Sequence, residues 1–232
     1  MNLRDGLFFD MDGVLVDVTN SYRVAIARTV AHFLGRPISQ EVIQAYKDRG
    51  GFNDDWRLTA TILRDHGIRV SKRSVVRRFQ SLYHGECHDG LILNESWMMD
   101  RKLLAAISRR WALAIVTDRP RKEALFALNR FDVEMFFPVL VAGDDVAEGD
   151  RKPQPRCLLR AVALSEARGG FFFGDGVDDM MSARAAGLVP VAVIPPGPNR
   201  EWRRRRMVRC GAIRVIDHID RLEEVLHATI QV

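Results

Sequence analysis

The chain has 232 residues, enough for one large domain or a core with a small insertion, and 47% of them are hydrophobic, as in ordinary globular proteins. No apolar run approaches the roughly 20 residues that span a bilayer, so no membrane partner is expected. The net charge is +5, with arginines densest at 200–209; without aromatic interleaving or zinc-finger spacing this argues against nucleic acid and suits small anionic, phosphorylated partners.

Leu7, Phe8 and Phe9 open a short buried strand at 7–10. The chain enters it directly after Arg4 and Asp5, so no secretory leader is expected. Asp10 and Asp12 follow at its end, and Gly13 lets the backbone turn. Period-two alternation sends both carboxylates to roughly the same side. Two acids that close can divide labour, one ionised as nucleophile and metal ligand, the other carrying a proton. The competing reading is an Asp-rich turn with a helix cap. The apolar strand before it and Val14-Leu15-Val16-Asp17 after it make the longer string more specific.

Residues 19–95 carry helical rather than strand signals. Tyr22, Ile26, Val30 and Phe33 repeat at helical spacing, and Gly35 stops the run. Asp54 or Asp55 caps a helix through Leu58, Ile62 and Leu63 to Gly67, and Ser71 caps another through Val75, Phe79 and Leu82. In the loop 50–56 the glycines give mobility. There Phe52 and Trp56 can pack an organic moiety and Asn53 can hydrogen-bond it; a plain helix–helix turn with core aromatics is the equal alternative.

Strands at 113–117, 139–142, 171–174, 190–194 and 213–216 then alternate with helices at 100–110, 120–130, 153–166, 179–186 and 218–228. This is the pattern of an α/β parallel sheet with helices on both faces. Ligands bind beyond the carboxyl ends of such strands. There stand the hydroxyl of Thr117, Lys152 just before Pro153, and the acids Asp175, Asp178 and Asp179. Pro195-Pro196-Gly197-Pro198 reads as a loop, and Arg203-Arg204-Arg205-Arg206 as a solvated helix or loop. Cys87, Cys157 and Cys210 lie far apart without a CxxC pair. That suits a reducing, cytoplasmic setting and argues against a disulfide framework or structural zinc.

The segments 8–17, 113–117, 150–155 and 171–179 together resemble, in order, the four motifs of the haloacid dehalogenase-like hydrolase superfamily. The resemblance implies a Rossmann-like core formed by 1–18 and 96–232, with a small helical cap at 19–95. It implies a Mg²⁺-dependent phosphatase that acts on a small phosphorylated metabolite through an aspartyl-phosphate, as a monomer or homodimer. Asp10 would be the nucleophile and Asp12 the general acid and base. Thr117 would hydrogen-bond a phosphoryl oxygen, and Lys152 would neutralise it. Mg²⁺ would sit on the Asp10 side chain, the Asp12 backbone carbonyl and Asp175. Asp179, or as the second choice Asp178, would act through water or orient Lys152, while one of the two only caps the following helix.

Asp118 departs from the glycine or asparagine common at its position in the family. Either its carboxylate turns away and its backbone donor acts, or Arg119 pairs with it. Both residues join Phe52, Asn53 and Trp56 as candidate substrate contacts. The GGFNDDW string at 50–56 resembles a branch with members joined to histidine-biosynthesis enzymes, which makes histidinol phosphate a candidate substrate. A phosphomutase, a phosphonate hydrolase using Lys47, and a non-catalytic phospholigand-binding module are the alternatives.

Overall fold

The computed structural model describes residues 4–229, with the exception of 53, 88 and 198. In chain order the elements are β1 (Gly6–Phe9), β2 (Val16–Asp17), α1 (Tyr22–Leu34), α2 (Gln40–Lys47), α3 (Asp55–Asp65), α4 (Lys72–Tyr83), β3 (Ser96–Trp97), α5 (Arg101–Ser108) and β4 (Ala112–Val116). They continue with α6 (Arg121–Arg130), β5 (Val139–Val141), α7 (Arg156–Ser165), β6 (Gly170–Gly174), α8 (Val177–Ala185), β7 (Val189–Val193), α9 (Arg200–Arg209), β8 (Arg214–Ile216) and α10 (Leu222–Thr229). The chain divides into two compact units, one of Met1–Val16 with Trp97–Val232 and the other of Asp17–Ser96.

The larger unit is built on a parallel six-stranded sheet in the order β5-β4-β1-β6-β7-β8. Helices flank this sheet, as the alternation in the sequence predicts. β1 pairs with β4 on one side and with β6 on the other, with Phe8 opposite Ala114 and Phe172. Strands covered on both faces read as unbroken apolar runs. Leu7, Phe8 and Phe9 are accordingly buried, as are Phe171, Phe172 and Phe173. Phe8, Ala114, Val116 and Phe172 form one core cluster with Cys157, Leu158 and Ala161 of α7. Phe9 stacks on Phe173 with ring centroids 5.2 Å apart and meets Phe137 edge-on. The sheet passes from β1 to β4 on one side and to β6 on the other. The carboxyl ends of these three strands therefore meet at a switch point, where parallel sheets open a crevice.

The smaller unit is helical. Tyr22 of α1 stacks on Tyr83 of α4 at 4.3 Å, over a core of Ile26, Val30, Leu58, Ile62, Leu63, Val75 and Phe79. Gly35 ends α1 in the left-handed conformation. Asp54 settles the choice of cap for α3 by accepting from the Trp56 and Arg57 amides, and Ser71 caps α4 by accepting from Ser74. α2 is a helix the sequence reading passes over. Buried Glu95 accepts hydrogen bonds from Ser21 Oγ and Tyr83 OH, both at 2.9 Å, close to the two ends of the unit. The arginine run forms α9, where Glu201 pairs with Arg204 and Arg205 and Met207 is the buried residue.

Candidate active site

Asp10 follows β1 directly, Thr117 follows β4, and Asp175 follows β6. The Asp10 amide donates to Phe173 O at 2.8 Å and the Thr117 amide to Val141 O at 3.0 Å, so sheet pairing continues into both site residues. Lys152 reaches the same place from the loop before α7. Its ammonium donates to Asp10 Oδ1 at 2.8 Å, Asp179 Oδ1 at 2.7 Å and Val116 O at 3.4 Å. The other oxygen of Asp179, Oδ2, accepts from the Gly176 amide at 2.9 Å, so this residue caps α8 and orients the lysine at once. Asp178, the other candidate for either role, is itself buried.

Oxygens of Asp10, Asp175 and Asp179 lie within 4.8 Å of one another. Gly13 makes part of this approach possible. It sits at φ +77°, and a Cβ there would stand 2.4 Å from Asp175 Oδ2. Burial, the largest influence, drives the Asp10 carboxyl well above its ordinary pKa; Lys152 opposes that shift, and Asp179, Asp175 and Asp12 reinforce it. For Lys152 burial works downward, but Asp10, Asp179 and Asp118 outweigh it and hold the ammonium well above its usual range. The lysine is thus a fixed cation facing three carboxylates, an excess of negative charge that a further cation would balance. The donors are all oxygen, which suits a hard divalent ion such as Mg²⁺.

The loop after β4 is where the site departs from expectation. Thr117 is buried, and its Oγ1 accepts from the Arg119 amide at 3.1 Å. Arg119 was expected beside Asp118 or on substrate; its guanidinium is found on Asp12, with Nη2 on Oδ1 and Nε 3.5 Å from Oδ2. Nothing in the sequence marks this pairing, since the partners lie 107 positions apart. Asp118 is near enough for its charge to act on Lys152 and Cys157.

In the helical unit, Phe52 meets Tyr46 edge-on at 5.9 Å and half-buried Trp56 meets Phe79 at 6.5 Å. Both aromatics thus take part in the packing of that unit. Asn53 lies outside the described residues. Lys47 forms an ion pair with Asp55 at 2.9 Å.

With this geometry established, the chain proves to belong to a known family. The profile of the haloacid dehalogenase-like hydrolases matches residues 7–193, and the protein is a member of that family. An imidazoleglycerol-phosphate dehydratase from Phytophthora nicotianae is 36% identical over 199 residues, which are 82% of this chain and 43% of that protein. The chain thus spans less than half the length of that relative. A phosphorylated carbohydrates phosphatase from Thermotoga maritima is 27% identical over 230 residues, covering 96% of this chain and 100% of the relative. Among solved structures, a hydrolase from Pseudomonas syringae superposes with a TM-score of 0.71 at 20% identity, covering 97% of this chain and 99% of that one. At that identity the likeness speaks for the fold alone. Among the described residues, no helix is long and apolar enough to cross a membrane.

Proposed function

We propose that this protein is a Mg²⁺-dependent phosphatase that hydrolyses a small phosphorylated metabolite through an aspartyl-phosphate. One observation carries the reading: a buried ammonium lies 2.8 Å from Asp10 and 2.7 Å from Asp179 at the carboxyl ends of the central strands, with Asp175 in reach. A phosphoryl group arriving beside Asp10 meets that fixed positive charge without reorganisation of the site. Asp10 attacks phosphorus as the bond to the leaving oxygen breaks. Asp12 protonates that oxygen and later takes a proton from the water that releases phosphate. Thr117 hydrogen-bonds a phosphoryl oxygen, and Lys152 balances the charge on the group. Asp10, Asp175 and Asp179, with the Asp12 carbonyl, would hold the metal ion, which when bound would offset the repulsion between nucleophile and phosphate.

The helical unit is assigned the choice of leaving group, as a cap inserted after the first motif. The full-length match to a phosphorylated carbohydrates phosphatase supports the reaction class. The dehydratase name belongs to a protein more than twice as long as the matched segment, so that activity is not carried over. Histidinol phosphate joins the substrates to try because the segment 50–56 resembles a branch with members joined to histidine-biosynthesis enzymes.

The test is a phosphate-release screen over sugar phosphates, phosphoglycolate, histidinol phosphate and p-nitrophenyl phosphate, with Mg²⁺ and with chelator. Turnover should need the metal and vanish in Asp10→Asn. Release that survives exhaustive chelation, or full activity of the asparagine variant freed of contaminating phosphatase, defeats the proposal.

A further inference from the structure

We propose that Arg119 is a positioning residue that fixes the carboxylate of Asp12 for its proton transfers. The inference rests on the phosphatase reading and adds to it. Two features carry it. The Arg119 side chain is 0% exposed, whereas that of Asp12 is 30% exposed. The guanidinium is therefore held inside the protein, while the acid it grips is open to solvent. Its contacts fall on both oxygens of Asp12, and such a fork restricts a carboxylate more than a point charge does.

The second feature is that Arg119 is held at both polar groups of its backbone. Its amide donates to Thr117 Oγ1 at 3.1 Å, and its carbonyl accepts from the Gly143 amide at 3.0 Å. Gly143 is packed so closely that a Cβ there would lie 2.2 Å from Asp118 O. Sheet, loop and guanidinium thus form a continuous support from β4 and β5 to Asp12. The two acids of the first motif are served by different cations, Asp10 by Lys152 and Asp12 by Arg119.

An arginine does not give up its proton in a protein, so Arg119 is no acid itself. In the first step the proton moves from Asp12 to the leaving oxygen while the aspartyl–phosphorus bond forms. In the second it moves from water to Asp12 while that bond breaks. Arg119 neither gives nor takes a proton in either step.

The experiment uses Arg119→Gln and Arg119→Lys, alone and combined with Asp12→Asn, on the whole chain with Mg²⁺. Phenyl phosphate and p-nitrophenyl phosphate are the probes, because phenolate leaves poorly without a proton and nitrophenolate does not. Arg119→Gln should lower kcat/KM for phenyl phosphate about tenfold to a hundredfold, with a much smaller change for p-nitrophenyl phosphate. Arg119→Lys should recover part of the loss. In the Asp12→Asn background, Arg119→Gln should have no further effect on either probe.

Equal losses on both probes, or a loss that persists without the Asp12 carboxylate, would overturn the proposal; the second result would put the guanidinium on phosphate instead. Urea unfolding supplies a readout independent of turnover. Asp12→Asn should lower the midpoint by leaving a buried guanidinium without its carboxylate, and adding Arg119→Gln should raise it again. Additive midpoints would overturn the pairing. A wild-type chain that hydrolyses neither probe would defeat the phosphatase reading and the catalytic role together, while the unfolding cycle would still decide the pairing.

Discussion

Replacing Lys152 by methionine removes a cation whose side chain is only 2% exposed and leaves its shape roughly filled. Asp10 and Asp179 then remain buried with no ammonium between them. Breaking a buried pair in this way costs about 3–5 kcal/mol, or about 6–20 °C in melting temperature at roughly 2–4 °C per kcal/mol. The loss should depend on pH, and its sign follows from Asp10. Burial raises that carboxyl while Lys152 holds it down, so in the variant it rises further. A folded state with a raised carboxyl pKa binds protons more tightly than the unfolded chain. Its stability therefore falls as pH rises from the ordinary carboxylate range through the raised value.

The gap between wild type and Lys152→Met should accordingly be wider at pH 8 than at pH 5, because falling pH lets a proton on Asp10 take the place of the ammonium. Urea titrations in chelator across that range, compared by midpoint at constant slope, measure it. Adding Mg²⁺ at pH 8 should narrow the gap again, because carboxylates left without the ammonium hold the cation more tightly than those of the wild type and are stabilised more by it. A gap that is constant with pH, or below about 1 kcal/mol at pH 8, would refute the view that Lys152 is there to balance buried carboxylates.

Gly13→Ala forces a side chain into the left-handed region at a cost of about 1–2 kcal/mol and pushes its Cβ against Asp175 Oδ2. Turnover should fall about a hundredfold and the Mg²⁺ needed for half-activity should rise, a titration that unchanged metal dependence would contradict. Trp56→Ala removes a half-buried ring from Phe79, so it should cost about 1–3 kcal/mol, less than the 3–5 of a fully buried aromatic. Parallel thermal melts and rates on p-nitrophenyl phosphate should show lowered stability with turnover kept; unchanged stability would mean that the ring does not pack.

The sheet was legible because its central strands are covered on both faces, which forces runs such as Leu7–Phe9 and Phe171–Phe173 to be apolar throughout. Helices with long periodic faces and clear caps, α1, α3 and α4, were legible for the same kind of reason. α2 is only eight residues long and buries just Ile43 and Tyr46, too little to set a period. The two-residue strands β2 and β3 have no alternation to read. In the site, the position of the motifs at strand ends put Asp10, Lys152 and Asp179 in one region, and the family resemblance implied that Asp179 orients Lys152. It did not reveal that Asp179 both caps α8 and binds Lys152. Nor did it reveal the grip of Arg119 on Asp12, which depends on how the loop after β4 is folded rather than on any repeated pattern.

The place of β1 in the sheet bears on how the chain reaches its native state. It is made before both of its neighbours in the sheet, β4 and β6. Asp10 at its end meets a lysine 142 positions later, and its neighbour β6 ends at Gly174. The chain as far as Gly174 must therefore leave the ribosome before the apolar segment Leu7–Phe9 can be enclosed on both sides. Such non-local parallel pairing is slow to form. A nascent chain released or stalled before Gly174 would present Leu7-Phe8-Phe9 to chaperones, and would lack both Asp175 and Asp179.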